Sequence, residues 1–249
     1  MKILGIIPAR YSSSRFPAKL LKTIHGKSIL QMVYEQCEKT QSLSKIVVAT
    51  DHEAIFEHVE GFHGEVLMTS TNHESGTERC AEALKLCGGN GSFDYVVNIQ
   101  GDEPLIDPNT IDSLCSVLDD RIEIASACYP IAKMEDLLSP SIVKVVIGEK
   151  NQALYFSRSP IPHIRDQNID HWLEHNVFYK HLGIYAYRVD ILEKLGKYPM
   201  AKLESHEKLE QLRWLSNGFK INMVEATSEG FGIDTEQDFE RLKQFLDKK

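Results

Sequence analysis

The sequence contains no apolar run that approaches the roughly 20 residues a helix needs to cross a lipid bilayer. The apolar stretch at residues 3–7 is also too short for a secretory signal, and the Arg, Ser and Pro residues after it do not resemble a cleavage site. The sequence therefore predicts a soluble, cytoplasmic protein that does not bind a membrane.

Paired cysteines are also lacking. The five cysteines are odd in number and form no Cys-x-x-Cys pair, so we expect no disulfide framework. Reduced thiols are typical of cytosolic proteins, which agrees with the predicted location.

The chain also lacks an excess of basic residues. Lys and Arg number 28 against 36 Asp and Glu, and the net charge is -8 at pH 7. Proteins that bind the nucleic-acid backbone usually carry a basic excess, so we expect no nucleic-acid partner. An anionic ligand would instead have to meet a local cluster of cations.

The standard nucleotide-binding motifs are missing as well. Gly26-Lys27-Ser28 ends like a P-loop, but the glycine that this motif requires five positions earlier is Leu21. No Gly-x-Gly-x-x-Gly run follows a predicted strand, which excludes the usual dinucleotide fingerprint. A nucleotide bound by this chain would be held by a different loop.

In the first half of the chain, short β-branched apolar runs alternate with amphipathic stretches. This alternation predicts an α/β fold, a mostly parallel sheet flanked by helices. The predicted strands are Lys2–Pro8, Ile46–Ala49, Glu65–Met68 and Tyr95–Ile99. The predicted helices are Ser28–Lys39, a short helix capped by Asp51 that ends at Val59, Gly76–Leu86, and a helix from Asp107-Pro108 to about Leu118.

In the second half, strands follow one another without a helix between all of them, which predicts a mixed or antiparallel insertion over about 122–215. The elements predicted here are the strands Ile122–Ile131, Val143–Ile147, Ala153–Ser157, His181–Tyr187 and Lys220–Val224, and the helices Leu203–Leu215 and Thr235–Leu246, the last capped by Asp234 or Thr235. No Gly-, Ser- or Pro-rich linker divides the chain, so we predict a single domain over residues 1–249.

The loop after the first predicted strand carries the strongest functional signal. Between Ala9 and Lys19 it holds three serines and the cations Arg10, Arg15 and Lys19. Ligands of open α/β sheets bind at the carboxyl ends of strands, and small residues let backbone amides approach a phosphate. A solvated polar loop is the ordinary alternative, but three cations in an acidic protein favour anion binding.

Two acidic residues stand beside glycines in later segments. Asp102 follows Gly101 after a buried strand, and Asp234 lies two residues after Gly232. Such carboxylates suit a Mg²⁺ ion that binds a polyphosphate. A polar turn is the alternative at Asp102, and a helix cap is the alternative at Asp234, where the two roles are compatible.

The middle of the chain holds polar residues that, as a set, would suit an acidic, polyhydroxylated ligand, with Arg for a carboxylate and the others for hydroxyls. They are Arg158, Arg165, His181, Tyr185, Glu210 and Gln211. Taken one by one, Glu210 also fits a solvated helix residue and His181 a hydrogen-bonded strand residue. Composition leaves this choice open.

One histidine spacing suggests a zinc site. His171-x-x-Glu174-His175 has the spacing of one class of metalloprotease. Its flanks are polar and no further ligand stands out, so we interpret the match as accidental.

Nine blocks of sequence occur in order along nearly the whole chain. They are Ile6–Tyr11 with Lys19, Val48–Asp51, His73 with Ser75–Arg79, Gln100–Pro104, Val143–Val146, Ala153–Arg158, His181–Tyr185, Leu209–Arg213 and Gly232–Thr235. The ordered set resembles the 3-deoxy-manno-octulosonate cytidylyltransferases, the CMP-Kdo synthetase family. The middle and later blocks separate it from the related sialic acid cytidylyltransferases.

This resemblance implies a nucleotide-diphospho-sugar transferase-like fold and a nucleotidyltransferase. The reaction would transfer CMP from CTP to 3-deoxy-D-manno-octulosonate (Kdo), giving CMP-Kdo and pyrophosphate, and would activate Kdo for lipopolysaccharide biosynthesis. Mg²⁺ is the implied cofactor, CTP and Kdo are the implied substrates, and we expect a homodimer formed through the insertion.

The resemblance also implies roles for the candidate residues. The catalytic set would be Arg10, Lys19, Asp102 and Asp234, with Asp102 and Asp234 as the Mg²⁺ ligands. The nucleotide would be bound by Ala9, Arg10, Arg15, Lys19, Ser75, Gly76, Arg79 and Gln100. The sugar acid, whose anomeric hydroxyl attacks the α-phosphorus, would be bound by Arg158, Arg165, His181, Tyr185, Glu210 and Gln211.

The chain departs from the family pattern at two predicted helix starts, where Ser28 and Glu236-Gln237 replace the usual Pro and Pro-Glu. These changes affect helix geometry more than chemistry. A cytidylyltransferase for a related acid, such as an amino-substituted Kdo, is one rival interpretation, and a nucleotide-binding regulatory module without turnover is another. Lys19, Asp102 and Asp234 together argue against the second rival, because a protein that only binds a nucleotide does not need two separated metal carboxylates.

Overall fold

The computed structural model describes residues 1–11 and 16–248. Arg15, one of the predicted triphosphate ligands, lies outside the described residues. The chain forms two compact units, the first made of Met1–Asp112 with Glu229–Lys249 and the second of Ser113–Ser228. The second unit includes the stretch 122–215, which we predicted as an insertion. That residues 1–249 form a single domain stays a prediction.

Eleven strands and nine helices are named here in chain order among the described residues. The strands are β1 (Ile3–Ala9), β2 (Thr23–Ile24), β3 (Lys27–Ser28), β4 (Lys45–Thr50), β5 (Val66–Met68), β6 (Tyr95–Asn98), β7 (Ile124–Pro130), β8 (Lys144–Ile147), β9 (Ala153–Ser157), β10 (Tyr179–Arg188) and β11 (Ile221–Glu225). The α-helices are α1 (Ile29–Cys37), α2 (Glu53–Gly61), α3 (Gly76–Leu86), α4 (Pro108–Ser116), α5 (Met134–Leu138), α6 (Val189–Leu195), α7 (Lys202–Glu207), α8 (Gln211–Ser216) and α9 (Glu236–Leu246).

The first unit is built on parallel strands. β1 pairs with β4 on one side and with β6 on the other, and β5 extends the sheet beyond β4, all in parallel. β1 is almost entirely buried, which a parallel strand covered on both faces requires. Its register places Ala9 opposite Thr50, so β1 and β4 end level with each other. The residues that follow these strands therefore share one edge of the sheet.

Side chains that accept hydrogen bonds from backbone amides begin several helices of this unit. Ser28, Ser75 and Thr235 each accept from the amide three residues later, at the starts of α1, α3 and α9. The prediction that Asp51 caps α2 is wrong, because His52 accepts from the Ala54 amide in its place.

The second unit holds a mixed set of strands. β7 pairs with β10 in antiparallel and with β11 in parallel orientation, and β8 pairs in antiparallel orientation with β10 and β9. Together with the parallel sheet of the first unit, these pairings confirm the predicted α/β class with a mixed second half. β10 has a bulge between Leu182 and Tyr185, where the Ser126 hydroxyl donates to the carbonyl of Ile184 at 2.8 Å.

The predicted helix Leu203–Leu215 is wrong in one respect, because it consists of two short helices, α7 and α8. The backbone turns at Lys208, which has a left-handed φ of 54°. Leu209 and Leu212, which follow this turn, are also buried, so the apolar spacing typical of a helix continues across the turn. The periodicity of the sequence therefore does not reveal that the helix is broken. The prediction also missed α5, α6 and the short hairpin of β2 and β3.

Among residues 1–11 and 16–248, no helix is both long and apolar enough to span a membrane.

Candidate active site

Three of the predicted catalytic residues meet in the first unit. The Lys19 ammonium donates to Asp102 Oδ2 at 2.5 Å and to Asp234 Oδ1 at 3.3 Å, and also to the carbonyl of Ile233 at 2.7 Å. Lys19 opens a short 3-10 helix, Asp102 lies in the loop after β6, and Asp234 lies just before α9. The Ile233 amide donates to the Asp102 carbonyl at 2.9 Å, which joins the two loops.

The exposure of this cluster suits a site that receives a ligand. The Lys19 side chain is only 12% exposed, whereas the Asp102 and Asp234 side chains are 29% and 55% exposed. The carboxylates are therefore open to solvent while the cation lies behind them. Two accessible carboxylates close to one cation place charges of both signs together, and such a cluster attracts charged ligands.

The donor set fits a magnesium ion. Among the described residues no group of three or more His, Cys, Asp or Glu side chains is gathered to hold a metal. Mg²⁺ does not need such a cage, because proteins usually bind it through one or two carboxylates while substrate phosphates and water complete the shell. Asp102 and Asp234 match that pattern.

Arg10 follows β1 and contacts the loop that precedes α3. Its Nη2 donates to the carbonyl of His73 at 3.0 Å. The His73 ring in turn is hydrogen-bonded to the Glu82 carboxylate, and Glu82 also accepts from the Ser70 amide at 2.9 Å. The loop that orients Arg10 is therefore tied to α3 from both of its ends. His73 belongs to the resembling blocks, but no signal in the sequence assigns it this role.

The other predicted nucleotide residues lie near the carboxyl ends of the parallel strands, at the ends of β1 and β6 and at the start of α3. Ser75 caps α3 and Gly76 begins it, so the N-terminus of this helix lies here, and the helix dipole favours an anion at that end. Ala9 is fully buried at the end of β1, so its contact with the nucleotide stays a prediction. Gln100 is half-buried in the loop after β6.

Arg79, like Ala9, is fully buried, although its side chain carries a charge. Its Nη2 donates to Asp51 at 2.6 Å and its Nη1 to the Thr69 hydroxyl at 2.6 Å. This arrangement ties together the loops that follow β4 and β5. A direct contact with the nucleotide stays a prediction, and the burial favours a role in holding these loops. The ion pair also explains why Asp51 does not cap α2.

In the second unit, two predicted sugar residues lie together on β10. The ring centroids of His181 and Tyr185 are 5.2 Å apart, and Tyr185 packs edge-on against Trp214. Burial lowers the pKa of His181 to about 3, so its imidazole is neutral at pH 7. His181 Nε2 is 2.9 Å from the Ser126 hydroxyl.

Glu210, at the start of α8, lies close to Tyr185. Burial raises the pKa of Tyr185 well above its ordinary value, and the nearby Glu210 carboxylate adds to this effect. Tyr185 therefore stays protonated at neutral pH. Gln211 is the first residue of α8 and is only 5% exposed.

Arg158 follows β9 and is held by several hydrogen bonds. Its Nε donates to the carbonyl of Glu207 at 2.7 Å, and its Nη1 donates to the carbonyl of Pro140 at 2.9 Å. The Glu207 carboxylate accepts from the Arg158 amide at 2.9 Å. Glu207 could not be found from the sequence, because its partners lie 49 and 50 residues away along the chain.

Arg165 is placed differently from the other predicted sugar residues. Its side chain is 90% exposed and forms an ion pair with its neighbour Asp166 at 3.2 Å. An ion pair between two exposed side chains holds Arg165 only weakly, so its role stays a prediction.

The histidine spacing that suggested zinc belongs to a 3-10 helix, Ile169–His175. His171 pairs with Glu174 at 2.8 Å, and His175 Nε2 is 2.6 Å from the side-chain oxygen of Gln167. Both histidines thus have partners of their own.

A family model described as Cytidylyltransferase matches residues 4–221. The 3-deoxy-manno-octulosonate cytidylyltransferase of Parabacteroides distasonis is 45% identical over 99% of this chain and 98% of its own length. The enzyme of the same name from Bacteroides thetaiotaomicron is 47% identical over the same shares of the two chains. The chain belongs to the 3-deoxy-manno-octulosonate cytidylyltransferase family.

A solved structure of the same family agrees. It is a CMP:2-keto-3-deoxy-manno-octonic acid synthetase complexed with CTP, 37% identical, with a TM-score of 0.91 over 100% of this chain and 99% of that one. The family resemblance inferred from the sequence blocks is thereby confirmed.

Proposed function

We propose that this protein transfers CMP from CTP to the anomeric hydroxyl of Kdo, releasing pyrophosphate. It is a nucleotidyltransferase of the family whose relatives match it over nearly their whole length. The structural observation that supports this reaction is that Lys19, Asp102 and Asp234 lie within hydrogen-bonding distance of one another through the Lys19 ammonium. A cation and two accessible carboxylates are the groups that the transfer of a nucleotidyl unit requires.

Lys19 and Arg10 bind the triphosphate in this proposal. The transfer forms a bond between the sugar oxygen and the α-phosphorus, and it breaks the bond from that phosphorus to the pyrophosphate oxygen. Negative charge builds up on the departing pyrophosphate, so fixed cations stabilise the transition state more than the ground state. The partners of Arg10 and Lys19 hold both side chains in place before the substrate arrives.

Asp102 and Asp234 hold Mg²⁺ in this proposal. A bound divalent cation neutralises phosphate charge and polarises the phosphoryl oxygens. The support is the fit of the donor set, two carboxylates 29% and 55% exposed that can share an ion with phosphate oxygens.

Residues of the second unit bind Kdo. The Arg158 guanidinium pairs with the sugar's carboxylate, and Glu210 and Gln211 accept from or donate to its hydroxyls. His181 stays neutral because burial lowers its pKa to about 3, so it serves as a hydrogen-bonding group and carries no charge toward the sugar acid.

We also infer from the family resemblance a homodimer formed through residues 122–215, a cytoplasmic location and a role in lipopolysaccharide biosynthesis. Sedimentation equilibrium of the purified protein tests the dimer. A mass of 28.3 kDa, that of one chain, would contradict it.

Pyrophosphate release measured over a panel of substrates tests the reaction itself. CTP and UTP are each combined with Kdo, amino-substituted Kdo and sialic acid. We expect release with CTP and Kdo, and little with UTP or sialic acid. Faster pyrophosphate release with amino-substituted Kdo than with Kdo would indicate that the amino-substituted sugar is the substrate. No release with any pair of substrates would contradict the proposed cytidylyltransferase activity.

A further inference from the structure

Glu207, the last residue of α7, makes three hydrogen bonds to the end of β9. One carboxylate oxygen accepts from the Ser157 hydroxyl at 2.6 Å, and the other accepts from the Arg158 amide at 2.9 Å. Its backbone carbonyl accepts from Arg158 Nε at 2.7 Å. A single residue thus fixes both the backbone and the side chain of Arg158.

These contacts aim the Arg158 guanidinium before a ligand arrives. Nε is bonded to Glu207, and Nη1 is bonded to the carbonyl of Pro140. A guanidinium has five N–H donors in one plane, so bonds at Nε and at Nη1 fix that plane, and further N–H donors remain for a carboxylate. A side chain that is already fixed loses less conformational entropy on binding.

The loop that supplies the Pro140 carbonyl is itself fixed. The ammonium of Lys144, a fully buried residue, donates to the carbonyls of Ser139 and Ile142 at 2.8 Å each. These carbonyls lie on both sides of Pro140. Arg158 is therefore held between two supports, Glu207 and the loop 139–142.

Glu207 also links Arg158 to the start of α8. The left-handed turn at Lys208 ends α7, and the buried Leu209 anchors the chain directly afterwards. Glu210 and Gln211 follow at once. The two segments that carry predicted sugar ligands, the end of β9 and the start of α8, are therefore joined through one carboxylate.

We propose that Glu207 is a positioning residue for the sugar acid, acting through Arg158. This inference rests on the proposed function, in which Arg158 binds the carboxylate of Kdo. Glu207 does not need to touch the substrate in this role.

A double-mutant cycle tests the proposal. Glu207→Ala should raise the KM for Kdo about tenfold and leave the KM for CTP within about twofold, because it removes two hydrogen bonds that involve a charge. Glu207→Gln should have a smaller effect, because the amide oxygen can still accept one of these bonds. Glu193→Ala, on α6 of the same unit, is the matched control and should change neither KM.

The decisive measurement is Glu207→Ala in the Arg158→Ala background. If Glu207 acts through Arg158, the second substitution adds less than about twofold to the KM for Kdo. If the two effects multiply, Glu207 acts independently of Arg158 and the proposal is overturned. Should Glu207→Ala fail to fold, as judged by its thermal unfolding, the same cycle with Glu207→Gln decides.

The Arg158→Ala variant alone separates this inference from the proposed function. An unchanged KM for Kdo in that variant would overturn the sugar-binding role of Arg158, and the positioning role with it. A large increase in that KM together with an unchanged KM in Glu207→Ala would overturn the positioning role only.

Discussion

Asp102 is the carboxylate closest to the Lys19 ammonium, and it is the residue for which we predict the largest catalytic effect. Asp102→Asn should lower kcat at least ~100-fold, because a catalytic metal supplies several kcal/mol of charge stabilisation and an amide is a poor ligand for it. Steady-state pyrophosphate release measures the loss. The control is Asp247→Asn, which removes an exposed ion pair with His25 and should keep full turnover. Near-normal turnover of Asp102→Asn would contradict its metal-binding role.

Lys19 offers a second test at the scale of one residue. Lys19→Ala should lower kcat/KM for CTP at least about tenfold, because it removes a cation from the triphosphate and leaves two carboxylates unopposed. Kinetics with CTP varied at saturating Kdo measure the effect. Lys22, whose ammonium lies 5.7 Å from the centre of the Phe16 ring, provides the matched control in Lys22→Ala. A change in the KM for Kdo alone would show that Lys19 does not serve the nucleotide.

At the scale of elements, the start of α8 determines how Glu210 and Gln211 can act. Consecutive helical residues diverge by about 100°, so the two side chains cannot approach a ligand in the same way. Glu210→Gln and Gln211→Ala should each raise the KM for Kdo. The larger increase should follow Glu210→Gln, because Glu210 is charged and less buried than Gln211.

Calorimetry with CTP alone is the control for these two variants, and its binding should be nearly unchanged. Normal Kdo binding by both variants, combined with loss of the dimer, would assign this helix to the interface between subunits.

Element by element, local patterns predicted those parts of the fold that depend on nearby residues. Gly76–Leu86 and Ala153–Ser157 were predicted with the bounds that the structure has, because an N-cap and an apolar run are local signals. Asp51 was predicted as a helix cap, and its actual partner Arg79 lies 28 residues later. The turn at Lys208 has no local signature, since lysine rarely adopts a positive φ.

The same distinction between local sequence signals and long-range contacts applies to the candidate site. Lys19, Asp102 and Asp234 could be proposed together because they follow strands or precede a helix in recognisable blocks. Glu207 could not be proposed, because a carboxylate that bonds a backbone amide 49 residues away looks like any polar helix residue in the sequence.

At the scale of the whole molecule, the half-buried His181 makes stability depend on pH. Its pKa of about 3 in the folded protein lies below the ordinary value near 6.5. As the pH falls from about 6.5 toward 3, the His181 imidazole becomes protonated in the unfolded chain but stays neutral in the folded protein. The free energy of unfolding therefore decreases over this range. Above pH 6.5 this contribution is fully present.

Urea unfolding of the native protein and of His181→Asn at pH 8 and pH 5 tests this expectation. The variant should lose less stability between the two pH values than the native protein. His171→Asn is the control, because Glu174 raises the pKa of this exposed histidine and its contribution has the opposite sign. Equal losses in the native protein and in His181→Asn would show that another group governs the acid sensitivity.

The position of the Lys19 ammonium has a consequence for the order in which ligands bind. Lys19 already supplies Asp102 and Asp234 with positive charge, so it competes with any divalent cation for the same carboxylates. If Lys19 gave up both carboxylates, its half-buried ammonium would keep only the neutral carbonyl of Ile233, unless another anion accepted hydrogen bonds from it. A triphosphate is such an anion. Free metal ions should therefore bind the empty protein weakly, and nucleotide and metal should enter together as one complex.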